Sequence, residues 1–191
     1  MDTYLEVRKA YRFLHDFHKR LRSNQLKLIK DIDSTMNDFV FSEPIYNVTP
    51  KFSQWFQRNW MSDYFPLMNY SLAFASRKNS TYIAIDTYVD EEIADYLNKS
   101  KTDFDVKKLS PPEKTTGYMD LNMFKLQKLP EKLNSMDDMF NHDISEDYDE
   151  ITQIEKDTIA VTTKIDFEDL ENYEEVVERM SEMYSKLLKT K

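Results

Sequence analysis

The sequence contains no cysteine and only one glycine, Gly117. Without cysteine the chain cannot form disulfides, thiolate metal sites or a thiol nucleophile, and it fits a reducing compartment. Loops that cradle phosphates need glycines where the backbone approaches the ligand, so Walker-type and dinucleotide-binding loops are excluded. No apolar run approaches the roughly 20 residues of a membrane-spanning helix, and the first residues lack a signal-peptide pattern. We therefore expect a cytoplasmic protein that does not enter membranes.

Charge is distributed unevenly along the chain, whose net charge is −9. Residues 1–35 contain eight basic and five acidic side chains, which gives this part a charge of +3 and the remainder −12. The segment 137–157 contains nine acidic side chains and a single basic one, Lys156. An acidic surface of this kind disfavours direct binding of nucleic acid and favours docking on a basic protein partner.

The N-terminal segment 3–37 contains neither proline nor glycine, which favours one long helix. Four apolar residues in it recur at seven-residue spacing: Val7, Leu14, Leu21 and Leu28. A seven-residue repeat has a second apolar position between these residues, and Asn24 and Asp31 occupy it with polar side chains. The apolar stripe therefore shifts around the helix, as in a straight helix that packs on a domain. Packing on the protein's own core is the favoured interpretation. A homodimer built on this helix is the alternative that the pattern leaves open.

The stretch 70–89 consists of two alternating apolar runs around the polar residues 76–80, which is the pattern of a β-hairpin. Alternation also predicts strands at 119–123 and 159–167, and helical spacing predicts a last helix over 168–188. These elements indicate an α+β fold with a mainly antiparallel four-stranded sheet packed by helices and a long N-terminal helix. The predicted organisation is a helix over 1–40 and an α+β domain over 41–191, together forming one compact unit.

An aromatic stripe is predicted on a helix between Pro50 and Pro66. This spacing is typical of packing on the core, but tryptophan and tyrosine also dominate binding hot spots. If this helix is exposed, Trp55, Trp60 and Tyr64 are the predicted anchors for a protein partner. Five acidic residues complete the predicted partner-binding set by steering the encounter: Asp143, Glu146, Asp147, Asp149 and Glu150.

Two groups of side chains could carry chemistry. His15 and His18 are spaced so that both imidazoles could reach one metal ion, but the sequence identifies no third ligand. Asp86 lies in a predicted strand that is followed by the acidic run 90–92, and clustered carboxylates can hold a divalent ion for phosphodiester cleavage. No acidic-x-lysine pair is predicted on a neighbouring strand. A metal-dependent nuclease or nucleotide hydrolase is therefore the alternative function, and the favoured interpretation includes no metal or other cofactor.

Two parts of the chain form small units: the hairpin with the short acid-started helix that follows it, 71–97, and the closing strand and helix, 159–188. These units resemble small modules appended to bacterial restriction and defence proteins. The resemblance implies a link to bacterial or phage defence. No catalytic motif accompanies it. The sequence thus favours a non-enzymatic, acidic protein–protein interaction module of the inhibitor, immunity or adaptor type.

Overall fold

The structure, a computed structural model, describes residues 3–36, 38–40, 69–92, 109–129, 148–155 and 157–190. Two α-helices and six strands form its framework. In chain order they are α1 (Thr3–Ile32), β1 (Asp38–Val40), β2 (Asn69–Ser76), β3 (Thr81–Tyr88), β4 (Tyr118–Leu126), β5 (Thr152–Glu155), β6 (Thr158–Asp166) and α2 (Tyr173–Lys189). The strands form one antiparallel sheet in the order β1-β2-β3-β4-β6-β5. The predicted α+β class with a long N-terminal helix is confirmed.

The four predicted strands are the four central strands of the sheet, β2, β3, β4 and β6. The hairpin turns at 77–80, as the polar connection predicted, and pairs Leu72 with Ile85 and Ala73 with Ala84. The edge strands β1 and β5 were not predicted because three or four residues are too short to show an alternating pattern. Their strand conformation depends on pairing with β2 and β6.

One face of the sheet is covered by the two helices. The apolar residues that alternate along the central strands pack here, among them Ile83, Ile85 and Leu121, all fully buried. From α1 the stripe residues Leu21 and Leu28 close the core, and from α2 the closing residues are Val176, Met180, Met183, Tyr184 and Leu187. Each fully buried large side chain stabilises the fold by about 1.5–3 kcal/mol, so this face is the main source of stability.

The opposite face of the sheet is apolar at one end and polar at the other. Its apolar end is a second buried cluster made largely of small residues and two aromatic rings: Ala73, Ala75, Tyr82, Ala84, Phe124, Leu129 and Ala160. Further along β3, β4 and β6 the same face carries aspartate, asparagine, threonine and lysine side chains. This change from apolar to polar along neighbouring strands locates the candidate site described below.

Both long helices differ from prediction at one end. α1 ends at Ile32, not at residue 37, because the Asp33 carboxylate accepts hydrogen bonds from the backbone nitrogen and the hydroxyl of Thr35, at 2.8 and 2.7 Å. Side-chain bonding of this kind competes with helix continuation. At the other end of the chain, Phe167–Asn172 form a 3-10 helix, and α2 begins only at Tyr173.

Asp33 also connects three elements of the fold. Its second carboxylate oxygen accepts hydrogen bonds from the Asn79 amide at 2.7 Å and from the Tyr184 hydroxyl at 2.6 Å. Tyr184 further shares a hydrogen bond of 2.7 Å with Thr81. The end of α1, the β2–β3 turn and α2 are thereby joined through one buried carboxylate.

Gly117 is explained by close packing. A Cβ atom at this position would lie 2.6 Å from Cε2 of Phe167 and 2.7 Å from the carbonyl oxygen of Val89. The Gly117 carbonyl also accepts a hydrogen bond of 2.9 Å from the Phe167 backbone nitrogen. The glycine therefore allows the start of β4, the end of β3 and the 3-10 helix to meet closely.

Several predicted features lie outside the described residues. They include the helix between Pro50 and Pro66 and most of the acidic segment 137–157. Within the described residues, no helix combines the length and the apolar character that crossing a membrane would need.

Candidate functional site

The polar end of the second sheet face places two aspartates side by side. Strand register sets Asp86 of β3 directly opposite Asp120 of β4, and Asp120 directly opposite Lys164 of β6. Residues directly opposite each other in an antiparallel pair have Cβ atoms about 4.5–5.5 Å apart, so the three side chains lie in one row across the sheet. Like charges at this separation repel each other and destabilise a sheet. Groups whose ionisation is perturbed in this way are concentrated at functional sites, so the two aspartates mark a candidate site.

A chain of two hydrogen bonds holds the Asp86 carboxylate in place. The Asn122 amide nitrogen donates to Oδ2 of Asp86 at 2.7 Å, and the Thr162 hydroxyl donates to the Asn122 amide oxygen at 2.8 Å. Asn122 and Thr162 are both buried. The threonine fixes which end of the amide points at Asp86, so the orientation of the carboxylate is determined by strands β4 and β6.

Asp120 differs chemically from an exposed aspartate. Burial is the main cause that raises its pKa, the negative charge of Asp86 adds to the effect, and together they raise the pKa of Asp120 to about 7 from 3.8. Lys164 and a hydrogen bond with Tyr148 lower the pKa but do not outweigh burial. Its Oδ1 atom is buried and has no hydrogen-bond partner among the described residues. Asp120 can therefore gain or lose a proton near neutral pH, as a general acid or base must.

Aromatic and basic groups border the aspartate pair. The rings of Tyr88 and Tyr118 are stacked with centroids 4.7 Å apart, and Lys164 Nζ lies 4.3 Å from the centroid of the Tyr118 ring. The same ammonium group forms an ion pair with Asp166 Oδ1 at 3.3 Å, without the geometry of a hydrogen bond. Burial, followed by the charges of Asp86 and Asp120, raises the pKa of Tyr88 above its ordinary value, so its phenol stays neutral.

The acidic run 90–92 serves the local structure beyond β3. The Asp90 carboxylate accepts a hydrogen bond of 3.0 Å from the Glu92 backbone nitrogen, and the Glu92 carboxylate accepts 2.7 and 3.2 Å bonds from the backbone nitrogen and hydroxyl of Ser110. Across the described parts of the chain, no group of three histidine, aspartate or glutamate side chains could hold a metal ion. His18 contacts the edge of Phe17 with ring centroids 5.4 Å apart, and the His15 side chain lies outside the described residues.

Of the predicted partner-binding residues, only Asp149 and Glu150 fall within the described residues. The Asp149 carboxylate pairs with Arg179 of α2, and its backbone nitrogen donates to the Thr162 carbonyl at 2.8 Å. Asp149 has a φ of 65°, a left-handed conformation that aspartate tolerates better than most residues. Glu150 is exposed. The other predicted residues lie outside the described part: Trp55, Trp60, Tyr64, Asp143, Glu146 and Asp147.

The first half of α1 presents apolar side chains to solvent. Leu5, Val7 and Phe13 are 42%, 45% and 70% exposed. Of these three, only Val7 belongs to the seven-residue repeat, whose later members Leu21 and Leu28 are buried. We call residues 5–20 the exposed half of α1, because none of its described side chains is buried. This half carries five basic and two acidic residues: Arg8, Lys9, Arg12, Lys19 and Arg20 against Glu6 and Asp16.

A strongly acidic surface lies beside the exposed half of α1. Residues 168–178, which we call the acidic turn, contain six exposed acidic side chains and no basic one: Glu168, Asp169, Glu171, Glu174, Glu175 and Glu178. The Phe17 ring contacts the Phe167 ring with centroids 6.0 Å apart, which brings the start of the acidic turn next to α1. A basic, partly apolar surface and an acidic surface are thus neighbours on one molecule.

Comparison with known proteins gives a family. A protein-family model described as PM0109 matches residues 1–191. Neither the curated proteins nor the solved structures include a match to the chain.

Proposed function

The chain belongs to the PM0109 family, and we propose that it is a non-enzymatic protein–protein interaction module that binds through the exposed half of α1. The observation that carries this proposal is the set of large apolar side chains, Leu5, Val7 and Phe13, that the first half of α1 exposes beyond the part packed on the core. Exposed apolar side chains surrounded by charged residues mark protein–protein contact sites. An inhibitor, immunity or adaptor role in the cytoplasm, linked to bacterial or phage defence, is the form of this activity that the sequence favours.

Phe13 is the best single anchor on this surface. It is 70% exposed, and aromatic side chains that become buried in an interface contribute most of the binding energy. The surrounding charges belong to the helix itself: Lys9 pairs with Glu6 at 2.9 Å and Arg20 with Asp16 at 3.8 Å. Such exposed pairs contribute little to stability. Because Phe13 is itself mostly exposed, substitutions at this position are expected to leave the fold intact.

Replacing Phe13 with aspartate is expected to weaken partner capture at least about tenfold, because it puts a charge where an aromatic ring is to be buried. The measurement is a pull-down from host lysate at low and high salt, followed by titration of the captured protein against the purified chain. Ser23→Asp is the matched control, since Ser23 is exposed on the same helix but lies off the apolar stripe. Equal capture by both variants and the native chain would contradict the proposal.

The second candidate function is a hydrolase of nucleic acid or nucleotides. The observation favouring it is the direct opposition of Asp86 and Asp120, with Asp120 buried beside the charge of Asp86. Two carboxylates whose environments differ can divide the roles of base and acid. In this proposal Asp86 accepts a proton from the attacking water, and protonated Asp120 donates to the leaving oxygen as the phosphorus–oxygen bond breaks. Lys164 offsets negative charge on the phosphoryl group.

A hydrolase at this site should lose at least about a hundredfold of its rate in Asp120→Asn and in Asp86→Asn, because each substitution removes a proton carrier. The assay follows cleavage of oligonucleotides and nucleoside triphosphates with and without magnesium or manganese. Glu150→Gln removes an exposed carboxylate outside the row and serves as the control. An unchanged rate in both site variants, or no cleavage by the native chain, would reject this second function.

A further inference from the structure

We infer that the partner bound by α1 is an acidic protein, whose carboxylates lie against a row of arginine and lysine side chains on the outer face of the helix. The inference rests on the proposed function, because it assigns the chemistry of the partner that the same helix takes. The sign of the partner's charge at this surface is opposite to the one that the acidic segment 137–157 predicts.

A row of basic side chains follows from the periodicity of α1. Successive residues of an α-helix are turned by about 100°, so each position can be placed around the axis relative to the buried Leu21. Four basic residues lie at about 140–180° from Leu21, on the side turned away from the core. We call them the basic row: Arg8, Arg12, Lys19 and Lys30. All four are exposed, and the first three extend over about 16 Å of helix.

The basic row has no counter-charge in the part of the chain that the structure describes. None of its members forms an ion pair there, whereas the neighbouring Lys9 pairs with Glu6 at 2.9 Å. Arg8 and Arg12 are four residues apart, a spacing at which like charges destabilise a helix. An external group of carboxylates would replace this repulsion with attraction between opposite charges.

The acidic turn contacts a different side of α1. Phe17, whose ring contacts Phe167, lies at about −40° from Leu21. Lys27 lies at about −120°, and its Nζ atom is 4.0 Å from the centroid of the Tyr173 ring. These contacts place the acidic turn beside the flank of the helix away from the basic row, and they leave the row facing solvent.

The surroundings of the basic row favour a protein over a nucleic acid as the bound anion. A duplex carries about one negative charge per 1.7 Å of its axis, so a duplex lying along α1 also brings its charge towards the carboxylates of the acidic turn. A protein can place carboxylates against the basic row alone.

Apolar side chains exposed next to basic ones give the same preference. Leu5 lies three residues before Arg8, and Phe13 lies four residues after Lys9. Side chains at these spacings are neighbours on a helix, and both apolar residues are exposed. The matching surface of the partner therefore has carboxylates spread over about 16 Å beside an apolar patch.

A pair of synthetic peptides tests the inference on the full chain. The acidic peptide is a helix of about 20 residues, or about 30 Å, with glutamates and two leucines on one face. The neutral peptide has glutamine in place of every glutamate. Measured by fluorescence anisotropy at low salt, the native chain should bind the acidic peptide at least about tenfold more tightly than the neutral one. The difference should shrink at high salt, because exposed charges are then screened.

Three variants locate the binding on the basic row. Arg12→Glu should weaken binding of the acidic peptide at least about tenfold, because it puts a negative charge between Arg8 and Lys19. Arg12→Lys keeps the positive charge and should bind within about twofold of the native chain. Lys128→Glu makes the same change in net charge at an exposed position after β4, and it should also bind within about twofold.

The inference is overturned if the acidic peptide does not bind, if both peptides bind equally, or if Arg12→Glu and Lys128→Glu weaken binding to the same extent. Tighter binding of a DNA duplex or of phosphatidylglycerol vesicles than of the acidic peptide overturns it as well. If the acidic peptide fails but Phe13→Asp still loses the protein captured from lysate, the proposed function stands without this inference. A chain that binds neither the peptide nor any protein overturns both.

Discussion

Replacing Asp33 with alanine is expected to destabilise the fold by about 3 kcal/mol, because the substitution removes the acceptor at the centre of a buried network. Asp33 is 8% exposed and accepts hydrogen bonds from Thr35, Asn79 and Tyr184. Alanine would leave these donors without their partner where α1, the β2–β3 turn and α2 meet. The measurement is urea unfolding at about pH 7, with Asp157→Ala as the control because the Asp157 side chain is exposed in a turn.

The dependence on pH separates this network from ordinary packing. Burial alone would raise the pKa of Asp33, but the hydrogen bonds from Tyr184, Thr35 and Asn79 together lower it below 3.8. A carboxyl group with a lowered pKa contributes stability that is present above its unfolded pKa and is lost as the pH falls through its folded pKa. The difference between the native chain and Asp33→Ala should therefore shrink below about pH 4. A difference that is constant with pH would mean that the carboxylate charge contributes nothing.

Much of the sheet could be predicted from sequence because its signals are local. The alternation of Leu72 with Ala73 and of Ile83 with Ala84 specifies both the strands and their faces, and the pairing follows from the hairpin turn at 77–80. The end of α1 could not be predicted in this way. The bonds from Thr35 to Asp33 that end the helix are local, but the partners that hold the Asp33 carboxylate in place, Asn79 and Tyr184, are 46 and 151 residues away and meet it only in the folded chain.

For the same reason, the sequence indicates Asp86 of the candidate site but not the residues that lie opposite it. Asp86 stands out as a carboxylate within an otherwise apolar strand, but its pairing with Asp120 depends on the register of β4 against β3 across a connection of almost thirty residues. Lys164 comes from a third strand, so no acidic-x-lysine spacing in the sequence could reveal it. A usable signal was present nonetheless, because β3, β4 and β6 each change from apolar to polar residues on the same face.

The two proposed functions are supported by different kinds of observation, an exposed apolar surface for one and a destabilising pair of charges for the other. The exposed half of α1 is an amphipathic stripe longer than the sheet it packs on, so it could be recognised only once the sheet's extent was known. The aspartate pair is a local cost to stability, because like charges on neighbouring strands repel and Asp120 is removed from water. A substitution that removes this repulsion is expected to increase the stability of the fold, whereas most substitutions decrease stability.

Replacing Asp120 with asparagine is expected to stabilise the chain by about 2 kcal/mol above about pH 8 and to change little near pH 4. Burial and the charge of Asp86 raise the pKa of Asp120 from 3.8 to about 7, so the folded state binds a proton that the unfolded state has released. Stability contributed by this group is complete below the unfolded pKa and falls as the pH rises through the folded pKa. The full conversion, at about 1.4 kcal/mol per pKa unit, is about 4 kcal/mol, and we halve it because the side chain is partly exposed to solvent.

Urea unfolding of the native chain, Asp120→Asn and the exposed control Glu150→Gln across this pH range tests the prediction. A loss of stability at high pH in Asp120→Asn would show that Lys164 holds Asp120 ionised and that the pair is not strained. A gain in stability together with lost hydrolysis would show that the strain is retained for catalysis, as expected where a site sacrifices stability for activity. A gain in stability in a chain that cleaves nothing would leave binding through α1 as the function to pursue.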